Sequence, residues 1–110
     1  MSYKSIPVNH NLANGDYLSD AIQIMKAPCI VAVNFSDIPV NDVTLELQQS
    51  VDNDADRYAT VSASKTTMLP GEKTHQFLYE QLPPYAFIKV KVGKGSAASG
   101  TLTNIKIISA

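Results

Sequence analysis

Along the middle of the chain, Val43, Leu45 and Leu47 alternate with Thr44, Glu46 and Gln48. A period of two gives a consistent apolar face only to an extended strand, because successive strand side chains point to opposite sides. The run ends in Asp52-Asn53-Asp54, residues whose short polar side chains bond the local backbone and so favour a turn. The same figure returns at Tyr85–Val92, where Ala86, Ile88, Val90 and Val92 are expected inward and Lys89 and Lys91 outward. It returns again in the closing strand, Thr101–Ile108.

Other segments fit less evenly. Cys29–Phe35 is a continuous β-branched and apolar run, the pattern of a strand buried on both faces. Asp20–Met25 reads as one strand with Ile22 and Ile24 inward, and Tyr58–Ala63 as another with Ala59, Val61 and Ala63 on one face. Thr74–Tyr79 is consistent with a strand or a helical turn, and Pro83 and Pro84 stop either one. Turn chemistry separates these runs at Ser36–Pro39, at Asn41-Asp42, and at Leu69-Pro70-Gly71-Glu72, whose central Pro-Gly suits a type II turn. The segment from Gly93 to Gly100 reads as a hairpin loop. Residues 1–16 are polar and Asn-rich, read as an N-terminal arm with a short strand at Ile6–Val8, and residues 17–110 as the β-sandwich domain. About seven or eight short strands between regular turn signals predict an all-β, single-domain antiparallel sandwich, jelly-roll-like. Alternation alone does not order the strands.

Composition narrows the function classes. A chain of 110 residues supports one core, and its net charge of −1 gives no general attraction to nucleic acid or to an anionic membrane. The start, Met1-Ser2-Tyr3-Lys4-Ser5, has no apolar stretch of the kind a signal peptide needs, and no segment has the length of a membrane span. Synthesis in a cytoplasm is the expectation. The alternating Lys89 and Lys91, with Lys94 beyond them, read as the wet side of a sheet.

Candidate chemistry is sparse. Asp52, Asp54 and Asp56 are spaced like the opening of a calcium loop, but the loop glycine is missing, Arg57 follows, and Ser62 stands where the closing glutamate belongs. A solvated turn is the simpler reading. The lone Cys29 sits in an apolar run without a neighbouring base to activate it. His10 and His75 lie in no zinc or triad motif. Tyr58, Tyr79 and Tyr85 offer aromatic faces for a sugar, in a chain without Trp, but tyrosines beside turns also pack at rims. No catalytic, cofactor-binding or metal-ligating residues are assigned, and no cofactor is expected.

From Val43 onward the order of motifs resembles a small β-sandwich recurrent among bacteriophage virion proteins. The matching pieces are Val43–Ser50, the Asp52-Asn53 turn, Tyr58–Val61, Pro84–Val90 and Gly100–Thr103, spread between Val43 and Thr103. Tyr58 stands where that pattern often has Trp. The resemblance implies a non-enzymatic virion protein that decorates or cements a capsid, with a spike or tail module binding a receptor or carbohydrate as the alternative. It further implies a homo-oligomer, a trimer first, in contact with other virion proteins such as the major capsid protein, and neither nucleic acid nor membrane as partner.

Overall fold

The computed structural model of the protein describes residues 2–37, 43–69, 71–80, 87–96 and 99–109. Its strands run β1 (Ser2–Asn11), β2 (Tyr17–Leu18), β3 (Ile22–Gln23), β4 (Cys29–Phe35), β5 (Thr44–Ser50), β6 (Ala59–Thr60), β7 (Thr66–Thr67), β8 (Thr74–Tyr79), β9 (Phe87–Gly93) and β10 (Thr101–Ser109). They form two antiparallel sheets. Sheet A has the order β1-β10-β4-β8; in sheet B, β9 and β5 pair at the centre, β2 and β3 flank β9, and β6 and β7 flank β5. With β2–β3 taken as one interrupted strand and β6–β7 as another, each outer pair along the chain is also a neighbour pair in space: first with last, second with second-last, and so inward. That is the strand order of a jelly roll, a long hairpin rolled into two facing sheets. Among the described residues no helix is long and apolar enough to cross a membrane.

The core lies between the sheets and is built by the period of two. From sheet A it takes Val31, Val33, Phe35, Leu102, Ile105 and Phe77; from sheet B it takes Leu45, Leu47, Ile88, Val90 and Val92. Tyr79 is fully buried among them, and its hydroxyl donates across the two sheets to Gln49 Oε1 at 3.1 Å. That bond satisfies a polar pair that would otherwise cost about 1–3 kcal/mol to bury.

The two interrupted strands share one device. Between β2 and β3, Ser19 N–H donates to Val90 O, and Ser19 Oγ accepts from Val90 N–H at 2.8 Å. Between β6 and β7, Val61 N–H donates to Leu47 O, and Ser64 Oγ accepts from Leu47 N–H at 3.1 Å. In both places a buried serine hydroxyl stands in for the carbonyl that a regular neighbouring strand would supply.

Several expectations are revised. The segment read as an arm is largely β1, paired with β10 from Ser2–Ser109 to Asn11–Thr101 with one irregularity between Pro7 and His10. Asn11 serves the turn that follows the strand: its Oδ1 accepts from Ala13 N–H, and Leu12 behind it is fully buried. Cys29–Phe35 is a strand, but only one face lies in the core; Ile30 on the other face is 38% exposed. The expected strand Tyr58–Ala63 shortens to Ala59–Thr60, because Ala63 turns into positive φ and Ser64 N–H closes back on Val61 O; Ala59 and Ala63 are exposed and only Val61 is inward. Asp20–Met25 contributes only Ile22–Gln23 as strand, although Ile22 and Ile24 do face inward. The segment from Gly93 to Gly100 is not a hairpin, since β9 belongs to sheet B and β10 to sheet A; it crosses between them. Thr74–Tyr79 is a strand, and Gly71, at φ +90°, takes the left-handed position of the turn before it. Ile38–Asp42, Pro70, Pro83, Pro84, Tyr85 and Ala86 lie outside the described residues.

Candidate protein-contact site

The acidic turn uses its carboxylates on itself. Asp52 Oδ1 accepts from Ser50 Oγ at 3.0 Å and from Asp54 N–H at 3.3 Å, while its Oδ2 accepts from Arg57 at 3.1 Å. Asp54 Oδ1 accepts from Asp56 N–H at 3.0 Å, and its other oxygen lies 3.6 Å from Arg57 Nε. The Ser50 hydrogen bond first, then the Asp54 amide and the Arg57 charge, hold the Asp52 carboxyl below its usual range. Aspartates bent toward the backbone and Arg57 shape a turn; they do not converge on a common point.

The histidines lie on opposite edge strands of sheet A, β1 and β8. His10 Nε2 is 2.9 Å from Gly15 O, with its ring against Tyr17, and the His75 ring meets Phe77 edge-on at 4.6 Å. Cys29 is buried, which pushes its thiol pKa up and leaves it a small hydrophobe. Of the tyrosines, Tyr79 is interior and presents no platform. Tyr58 bonds Asn53 through its hydroxyl and carries the Lys89 ammonium 4.5 Å above its ring. Tyr85 is outside the described residues.

Openings between the sheets occur at both edges. At one, Lys4 lines a cavity of about 160 Å³ with Ile24, Met25 and Ile107, and a second of about 230 Å³ with Ile6, Tyr17 and Asp20. At the other, a shallow cleft of about 410 Å³ separates β8 from residues 61–66. The cleft beside β8 is lined by Ser62, Ser64 and Thr66 together with His75 and Glu80. Ser64 Oγ is taken up by Leu47 N–H and Val61 O, and among the described residues no hydrogen bond joins these hydroxyls to His75, whose ring lies edge-on to Phe77. Among the described residues no group of metal-binding side chains converges.

The two outer faces differ sharply. On sheet B, Glu46 lies opposite Lys91 with 4.0 Å between charged atoms and accepts from Thr60 at 2.8 Å, while Lys89 covers Tyr58. This is the wet side expected from the alternating lysines. On sheet A the strand register lines up three rows. Leu78, Ile30 and Ile108 lie side by side across β8, β4 and β10; Gln76, Ala32 and Lys106 form the next row, and Thr74, Asn34 and Asn104 the third. Leu78 is 62% exposed, and Asn34 Nδ2 donates to Asn104 Oδ1 at 2.7 Å. Lys106 is the only charged side chain in these rows. A sheet face with an apolar row, a neutral amide pair and one cation is poorly suited to water and well suited to protein contact. Its signal in the sequence was the excess of apolar residues in Cys29–Phe35: Ile30 exceeds what a single buried face requires. A scan against models of known protein families finds no match to this chain, and a search of curated proteins finds none either.

Proposed function

We propose that this protein is a non-enzymatic structural component of a bacteriophage particle, decorating or stabilising the capsid through protein–protein contact. The observation that carries the reading is the asymmetry of the outer faces: sheet B is charged and internally paired, whereas sheet A offers the Leu78–Ile30–Ile108 row with a single lysine beside it. The jelly-roll order supports it, because this architecture serves capsids as well as lectins, though one fold hosts many functions. The motif resemblance over Val43–Thr103 points the same way. The sugar-binding alternative has less behind it: of its proposed platforms, Tyr79 is buried and Tyr58 is covered by Lys89.

The test is co-sedimentation of the purified protein with phage shells that lack it, beside mass spectrometry of intact particles. The protein is expected in the particles, binding the shells saturably. Ile30→Lys, which sets a charge in the middle of the apolar row, is expected to weaken shell binding at least about tenfold, the loss of roughly 1.4 kcal/mol, with an unchanged circular-dichroism spectrum. Absence from particles together with no shell binding sinks the proposal, and a glycan-array hit in its place establishes the carbohydrate reading.

A further inference from the structure

Sheet A has two edges, and they are treated differently. Edge strand β1 carries Pro7, an irregularity between Pro7 and His10, and Lys4 on the core-facing side. Proline, bulges and inward charges are the devices that keep an edge from pairing with another chain. Edge strand β8 has none of them: Thr74-His75-Gln76-Phe77-Leu78-Tyr79 contains no proline, no Asp, Glu, Lys or Arg, and no register shift against β4.

The ladder shows which backbone groups of β8 are free. Phe35 N–H donates to Lys73 O at 2.8 Å. Hydrogen-bonded and non-hydrogen-bonded pairs alternate along an antiparallel ladder, and the register continues unbroken from Asn34–Thr74 to Cys29–Tyr79. His75, Phe77 and Tyr79 therefore direct their N–H and C=O groups to β4, while Thr74, Gln76 and Leu78 direct theirs outward. All three outward-facing residues are exposed, and among the described residues no other backbone bonds them.

We propose that β8 pairs antiparallel with β8 of a second copy of this chain about a two-fold axis at Gln76, joining the two A sheets into one. In that register Thr74 faces the partner's Leu78, Gln76 faces the partner's Gln76, and Leu78 faces the partner's Thr74. Every outward N–H and C=O of the strand then finds a partner. Any shift by two residues leaves a pair empty, so the free backbone groups select this register. The chemistry of a second copy also fits: no like charges meet along β8, the two Gln76 amides can bond each other, and the apolar rows of both outer faces come to lie on one broad surface. The contact is isologous and closes at two copies, unlike the trimer implied by the motif resemblance. The inference goes beyond the proposed function: it uses the edge of sheet A, whereas the shell contact uses the outer face.

Sedimentation velocity of the full chain from about 1 μM to about 1 mM, the range in which a small interface associates, is expected to show a monomer passing to a dimer. Gln76→Pro removes an outward N–H and leaves the β4–β8 ladder whole. It is expected to raise the dissociation constant at least tenfold while the circular-dichroism spectrum and Tm stay near those of the parent. Gln76→Cys is expected to join two copies through a short bis-maleimide, with Cys29 buried and unreactive, whereas Asp20→Cys on the far side stays single. A wild type monomeric throughout, an association untouched by Gln76→Pro, or a mass of three copies overturns the inference. Presence in purified particles is read separately, so the virion role and the β8 contact stand or fall on different measurements.

Discussion

At the scale of single residues, the side chains that looked most chemical turn out to hold the fold together. Tyr79, a candidate sugar platform by its aromatic face, ties the two sheets through Gln49; Asp52 and Asp54 hold a turn against Arg57. His75 is the titratable group whose folded state leaves a measurable trace. Burial lowers its pKa, more than the Glu72 carboxylate raises it. In the unfolded chain it titrates near about 6.5, so below that pH the unfolded state binds more protons than the folded one. Stability therefore rises with pH through this window. The contribution is present in full above the unfolded value and is lost as pH falls through the folded one. Thermal melts at pH 7.5 and 5.0 are expected to show a lower Tm in acid, and His75→Gln is expected to reduce the difference. An unchanged slope in that variant assigns the pH dependence to other groups.

Among the elements, the strands legible in the sequence are the long ones at the centre of each sheet. β5, β9 and β10 follow their hydrophobic period almost to the residue, and β4 matches its apolar run in extent while giving the core one face instead of two. The strands beside them in sheet B were legible only in part, as Ile22–Gln23 and Ala59–Thr60 inside longer expected runs, because their pairing passes through Ser19 and Ser64, and a serine in an alternating run carries no sign that its hydroxyl will replace a carbonyl. Of β1 only Ile6–Val8 was legible: an edge strand interrupted by Pro7 and carrying Asn9 and Asn11 reads as turn chemistry when its partner, β10, lies at the far end of the chain. Ser64→Ala and Ser19→Ala each leave a buried N–H of a central strand, Leu47 or Val90, without an acceptor. Each is expected to cost about 1–3 kcal/mol in urea unfolding. Thr is the informative control at both positions, since it keeps the hydroxyl and is expected to recover part of the loss. Equal losses for Ala and Thr trace the effect to packing instead of the bond.

For the whole molecule, the contact face required topology that no alternation supplies. Ile30, Leu78 and Ile108 are far apart in sequence and become a row only because β4 lies between β8 and β10. The same wrapping makes the two ends of the chain interdependent. β1 covers one side of β10, and its Ile6 and Val8 pack on the core beside the fully buried Leu102 and Ile105. A mobile arm could be removed without consequence; this strand cannot. Deleting residues 1–11 strips β10 of its partner on that side and leaves apolar core open. At about 25 cal/mol per Å² of apolar surface, losing the cover of even two aliphatic side chains and their neighbours costs at least about 3 kcal/mol. That is a large fraction of the roughly 5–15 kcal/mol that holds a domain of this size together. The truncated chain is expected to melt well below the parent, or to lose its cooperative transition in circular dichroism. A truncation with an unchanged Tm would return residues 1–11 to the status of an arm, and would open the β10 edge as a second place where copies of this sheet can join.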